Sequence, residues 1–103
     1  MLAVTRYRVA PDEGQAFLAE ARVALAMLST QAGFVRGHIG RAADDPQLWL
    51  LSTEWEGVGT YRRALSSYDV KLHATPLMYR AVETYARRDR RYGGAVDAPG
   101  RSG

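Results

Sequence analysis

At 103 residues with 47% hydrophobic side chains, the chain is sized for one globular domain with a thin core, because a domain this small buries only about 60–65% of its unfolded surface. Without cysteine it has no disulfide framework, thiolate metal site or thiol nucleophile, and no apolar run approaches the roughly 18 residues of a membrane span. The net charge of +3 argues against a nucleic-acid-binding body: residues 1–86 hold nine Lys/Arg and nine Asp/Glu, and the excess falls in 87–103, where five arginines face Asp89 and Asp97.

Leu2 to Val9 alternates as a strand, with Ala3, Thr5, Tyr7 and Val9 on one side and Leu2, Val4, Arg6 and Arg8 on the other. Pro11-Asp12-Glu13 stops it. Asp12 is the expected N-cap of the following helix, with Gln15 completing a capping-box pattern. That helix carries Phe17, Ala21, Ala24, Leu25 and Leu28 at helical spacing and is expected to end at Gly33. Phe34 to Arg41 reads as a second strand. Ala42 to Pro46 is a turn, in which Asp44-Asp45 have a structural role. Gln47 to Trp55 is the most apolar strand, with Trp49, Leu51, Thr53 and Trp55 on one face. A second helix from Val58 aligns Val58, Tyr61, Leu65, Tyr68 and Leu72. Ser66-Ser67 offers a kink, and Pro76 an end. Ala81 to Ala86 completes the set as a strand.

The order β-α-β-β-α-β predicts an α+β, ferredoxin-like domain over residues 1–88: a four-stranded antiparallel sheet with two helices on one face. Residues 89–103, rich in Gly and Arg, read as a disordered tail. The second sheet face would carry Leu2, Val4, Phe34, Leu48 and Leu50, an apolar set suited to sheet-on-sheet homodimerisation. No leader is evident at the N-terminus, which makes a cytoplasmic protein the expectation.

Gly33-Phe34, Gly40-Arg41, and above all Trp55-Glu56 followed by Tyr61-Arg62, resemble the antibiotic-biosynthesis monooxygenase family of dimeric α/β barrels over about residues 2–86. One branch of that family oxidises quinol or anthrone rings with O2 and no cofactor, using an Asn, a Trp four residues later, a Tyr six residues beyond that, and a later Arg. The resemblance places Trp55 and Tyr61 at the Trp and Tyr, Leu51 in place of the Asn, and Arg80 as the candidate Arg. Another branch binds and degrades haem through an Asn, a Trp and a His. Here Thr5 stands at the Asn, Trp55 at the Trp, and His73 within about one residue of the His.

Cofactor-free oxygenation needs a base, a dry aromatic pocket and a way to steady an anion. Trp55, Tyr61 and His73 are the expected catalytic set. Thr5, Tyr7, Leu51, Tyr68 and Arg80 are the expected substrate contacts, around a small aromatic molecule. His73 is the leading base by its intrinsic pKa, although in a continuous helix it shares a polar face with Arg62 and Asp69. His38, grouped with Phe34 and Arg36, reads as an interface or rim residue. The two histidines, without Cys or a carboxylate cluster, make no metal site. Haem and a non-catalytic binding role remain the alternatives.

Overall fold

The computed structural model describes residues 1–87, with side chains through Val82; the predicted tail lies outside the described residues. Four strands, β1 (Leu2–Arg8), β2 (Phe34–Arg41), β3 (Leu48–Trp55) and β4 (Glu83–Arg87), form one sheet in the order β2-β3-β1-β4. Every neighbouring pair is antiparallel. The last strand thus starts two residues later than the alternation suggested. Backbone bonds extend the central ladder past β1, since the Met1 ammonium donates to the Trp55 carbonyl at 2.9 Å and Trp55 N–H returns to Met1 at 2.8 Å.

The first crossover is a single helix, α1 (Gly14–Ser29), entered through a 3-10 turn over Pro11–Glu13. Neither Asp12 nor any other side chain caps it, so the expected capping box does not form. The proline-led turn supplies the start instead, its fixed φ suiting a first helical position. Phe17, Ala21, Ala24 and Leu28 are its buried residues, and the two alanines let it lie close on the sheet. The helix stops at Ser29, before Gly33. That glycine has φ of +88° and turns the chain into β2, with Thr60 packed where a Cβ would project.

The second crossover breaks at Ser66-Ser67, where a kink was expected, and the break is complete. It divides into α2 (Val58–Leu65), α3 (Tyr68–His73) and α4 (Thr75–Met78). The break falls at Ser66-Ser67 because Ser67 is an N-cap: its Oγ accepts from the Val70 N–H at 3.2 Å. Pro76 opens α4 instead of ending a helix. Re-aiming the chain at the break buries Val70, Ala74 and Leu77, and it leaves Tyr68 75% and Leu72 52% exposed. The Tyr61–Leu65–Tyr68–Leu72 stripe therefore does not persist.

Face assignment on the sheet follows the alternation, with one correction. Ala3, Thr5 and Tyr7 on β1, and Trp49, Leu51, Thr53 and Trp55 on β3, are all buried under the helices. A register shift between Phe34 and Arg36 rotates the start of β2. Phe34 consequently packs edge-on against Trp55 on the helix side, at 5.3 Å between ring centroids, and leaves the outer face. Such a bulge adds one residue and flips the side chains before it. His38 and Arg36 stay outside without Phe34; Arg36 pairs with Glu54 at 2.8 Å, and His38 lies opposite Ser52.

Candidate functional site

Two aromatic groups occupy the buried inner face. At one end Trp55 contacts Phe34 and, at 5.6 Å between centroids, Tyr61 from α2. At the other, Tyr7 packs on Phe17 at 4.9 Å, and Phe17 on Trp49 at 5.3 Å. Arg41 closes that end by lying 4.7 Å over the Trp49 ring, a cation–π contact. Tilted and edge-on pairs of this kind add about 0.5–1.5 kcal/mol each beyond the area they bury.

The face is not wholly apolar. Trp55 Nε1 donates to Thr53 Oγ1 at 2.9 Å, so the indole N–H is satisfied within its own strand. Thr5 Oγ1 donates to the Tyr7 hydroxyl, also at 2.9 Å. Tyr61 is 92% buried by its residual exposure of 8%, yet its hydroxyl has no hydrogen-bond partner among the described residues. Burial raises the Tyr7 phenol above its ordinary range, while the Thr5 bond and the Arg80 charge act more weakly in the opposite sense. Burial also raises Tyr61, and the neighbouring Tyr7 adds to the effect. Both therefore remain protonated at neutral pH, each with a proton available to donate.

Of the residues singled out in the sequence, Trp55, Tyr61, Thr5, Tyr7 and Leu51 share this inner face. Thr5 and Leu51 are direct partners across the β1–β3 ladder. Three others lie apart. Tyr68 and His73 are exposed on α3. Arg80 sits at the rim in an exposed ion pair with Glu20 at 2.9 Å, beside a cleft of about 210 Å³ lined by Val9, Phe17 and Glu20. Phe17 lines that cleft and also packs at a tilt on Tyr7.

Thr53 and Phe17 carry parts of the site that no role was expected for. Thr53 was legible as the same-face neighbour two residues before Trp55; its bond to the indole was not. Three surface clefts, beside Phe17 and Glu20, beside Leu65 and Met78, and beside Pro46 and Trp49, do not include Trp55 or Tyr61 in their walls. Nor does any group of three or more His, Asp or Glu suited to a metal ion converge among the described residues. The haem arrangement does not fit, since His73 is exposed on α3 while Trp55 is packed between Phe34 and Tyr61. No helix among the described residues is long and apolar enough to cross a membrane.

Residues 1–74 match the family model described as antibiotic biosynthesis monooxygenase. Among solved structures, SnoaB from Streptomyces nogalater, a cofactor-independent oxygenase, is 26% identical, with a TM-score of 0.60 over 84% of this chain and 91% of that one. A putative antibiotic biosynthesis monooxygenase from Nitrosomonas europaea superposes with a TM-score of 0.66 at 16% identity, covering 82% of each chain. A conserved protein from Methanosarcina mazei reaches 0.69, also at 16% identity, over 84% of this chain and 91% of its own. These last two likenesses speak to the fold alone. No curated protein matches the chain.

Proposed function

Because the chain belongs to the antibiotic biosynthesis monooxygenase family, we propose that it is a cofactor-independent oxygenase of planar, acidic aromatic substrates such as quinols or anthrones. The observation that carries this reading is the make-up of the inner face. An aromatic wall of Trp55, Phe34 and Tyr61 shares that face with the paired Thr5 and Tyr7 hydroxyls, and the buried polar residues of the described core include no carboxylate or imidazole. A face so built favours a substrate that supplies its own acidity. Its oxygen or activated carbon releases a proton to water, the anion passes one electron to O2, and the radical pair joins at ring carbon as a peroxide anion that takes a proton back. Loss of water then leaves the new carbonyl. The cofactor-independent activity named for SnoaB, at 26% identity over most of both chains, supports the same reading.

The protein is further inferred to act as a homodimer through the outer sheet face. Leu2, Val4 and Leu48 are only half-buried there, and Val35 and Leu50 are exposed, an apolar strip that water disfavours. Sedimentation should give twice the chain mass, falling to a monomer in Val4→Glu/Leu50→Glu.

Oxygen uptake by metal-free, flavin-free protein over a panel of anthrones and hydroxyquinols tests the activity. Uptake coupled to quinone formation is expected, and His73→Ala should leave it unchanged because that imidazole is exposed. Binding without uptake across the panel would replace this reading with a second one, a non-catalytic binding protein. The filled core around Trp55 and the apolar Leu51 favour that alternative.

A further inference from the structure

The break at Ser66-Ser67 has a second effect: it opens a cleft within the crossover itself. Leu65 at the end of α2, Lys71 on α3, Thr75 and Met78 on α4, and Tyr79 just beyond line a space of about 390 Å³. In one continuous helix Leu65 would lie about 120° round the axis from Lys71 and about 140° from Met78, so only the broken path lets them share a wall. All five residues come from the crossover and none from the sheet, which sets the cleft apart from the aromatic inner face. Its volume falls in the range of roughly 300–1,000 Å³ typical of small-molecule sites.

The lining is apolar on most sides and charged at one point. Leu65 and Met78 are half-buried and pack against the core, while Tyr79 is 85% exposed. Methionine and tyrosine both favour an aromatic guest, the first through its polarisable sulfur and the second by offset or edge-on ring contact. Lys71 is the one charged residue of the five, and among the described residues it has no ion pair. The other two clefts lack such an uncommitted cation. Beside Phe17, two arginines face Glu13 and Glu20, and beside Pro46 the Arg41 guanidinium already lies on the Trp49 ring.

We propose that this cleft binds a small aromatic monocarboxylate. The ring of the guest lies against Leu65, Met78 and Tyr79, and its carboxylate accepts hydrogen bonds from the Lys71 ammonium. The half-buried Thr75 hydroxyl, without a side-chain partner among the described residues, supplies a second donor. A neutral ring would leave the Lys71 charge unmatched, and a polyanion would meet a single cation in an otherwise apolar wall. The site shares no residue with the inner face, so it stands or falls apart from the oxygenase reading.

The test titrates 2-naphthoate, and 2-naphthamide as its uncharged counterpart of the same shape, into the full chain while the methyl resonances are followed by NMR. The acid should shift the Leu65, Thr75 and Met78 methyls with a dissociation constant of about 1 mM, the strength open to so small a guest. The amide should bind about fivefold more weakly, the scale of one partly exposed ion pair, and added salt should weaken the acid alone. Lys71→Met should bring the acid down to the level of the amide, whereas Lys71→Arg should keep the preference. Tyr79→Ala should weaken both guests about threefold. Lys71 and Tyr79 are exposed, so both variants should fold, with melting temperatures close to that of the wild type. Equal binding of acid and amide to the wild type, or a preference for the acid that survives Lys71→Met, overturns the proposal. So do shifts centred on Leu51 of the inner face or on Leu18 beside Trp49, and so does the absence of any shift at about ten times the expected dissociation constant.

Discussion

The two crossovers connect equivalent pairs of strands and are built in opposite ways. Between β1 and β2, one sixteen-residue helix presents an uninterrupted row of Phe17, Ala21, Ala24 and Leu28 to the sheet. Between β3 and β4, three short helices take turns, contributing Tyr61 and Ala64, then Val70, then Leu77. The first is a structural cover whose small residues allow close approach. The second trades continuity for aim: it sets Tyr61 over Trp55 and leaves Tyr68, Leu72 and Tyr79 facing outward. Short helices hold little stability of their own, so each depends on the few residues it buries. Chemistry-bearing side chains reach the inner face from the sheet and from this divided crossover, while the continuous helix supplies the packing behind them.

That contrast can be broken most sharply at Phe17. Phe17→Ala removes the ring that joins Tyr7 to Trp49 and should cost about 3–5 kcal/mol, measured as a shift in the urea midpoint. A loss below about 1 kcal/mol would mean that α1 does not anchor the core as its packing implies. Next comes the joint between the crossovers. Gly33→Ala combines an unfavourable positive φ with a Cβ that would come within 2.4 Å of Thr60, and should cost roughly 1–3 kcal/mol. Part of that should return in Gly33→Ala/Thr60→Ala, although Thr60 also bonds both backbone groups of Gly57.

A subtler effect is expected from alkaline titration. Tyr7 and Tyr61 have folded pKa values above the unfolded value of about 10, so the folded state holds its protons more tightly there. Their stability is intact below pH 10 and declines as pH rises from there through the folded values. The double variant Tyr7→Phe/Tyr61→Phe should flatten this decline, and an unchanged slope would place its origin elsewhere. Tyr68→Ala and Leu72→Ala should change stability by no more than about 0.5 kcal/mol, because α3 turns both outward. Effects several times larger would restore the continuous stripe that the sequence suggested.

Much of the inner face was legible beforehand. Strict alternation in Leu2–Val9 and Gln47–Trp55 fixes which side chains travel together, because a strand's period of two leaves no freedom within a continuous ladder. Ala3, Thr5, Tyr7, Trp49, Leu51, Thr53 and Trp55 therefore emerge as one buried set. Alternation misled at Phe34, since a single extra residue in β2 inverted its side and no feature of Phe34-Val35-Arg36 marks a bulge. The helical stripe through Tyr68 and Leu72 misled for a related reason. It ran the stripe across the kink expected at Ser66-Ser67, whereas Ser67 begins a new helix axis. A cap at Ser67 and the spacing of Val70, Ala74 and Leu77 were the available signals.

What the sequence by itself determined is the family, the order of elements and the identity of the aromatic wall, all of which rest on local pattern: alternation, helical spacing, and Trp55-Glu56 ahead of Tyr61-Arg62. Tertiary structure alone decided which polar groups meet. Thr5 faces Leu51 only through strand pairing, Tyr61 finds Trp55 only once α2 folds over β3, and the cleft beside Phe17 exists only where Arg80 returns to α1. Contacts such as Thr5 with Leu51 and Glu20 with Arg80 join residues far apart in the chain and depend on strand register and on the path of the second crossover, neither of which is written in any short stretch of chain.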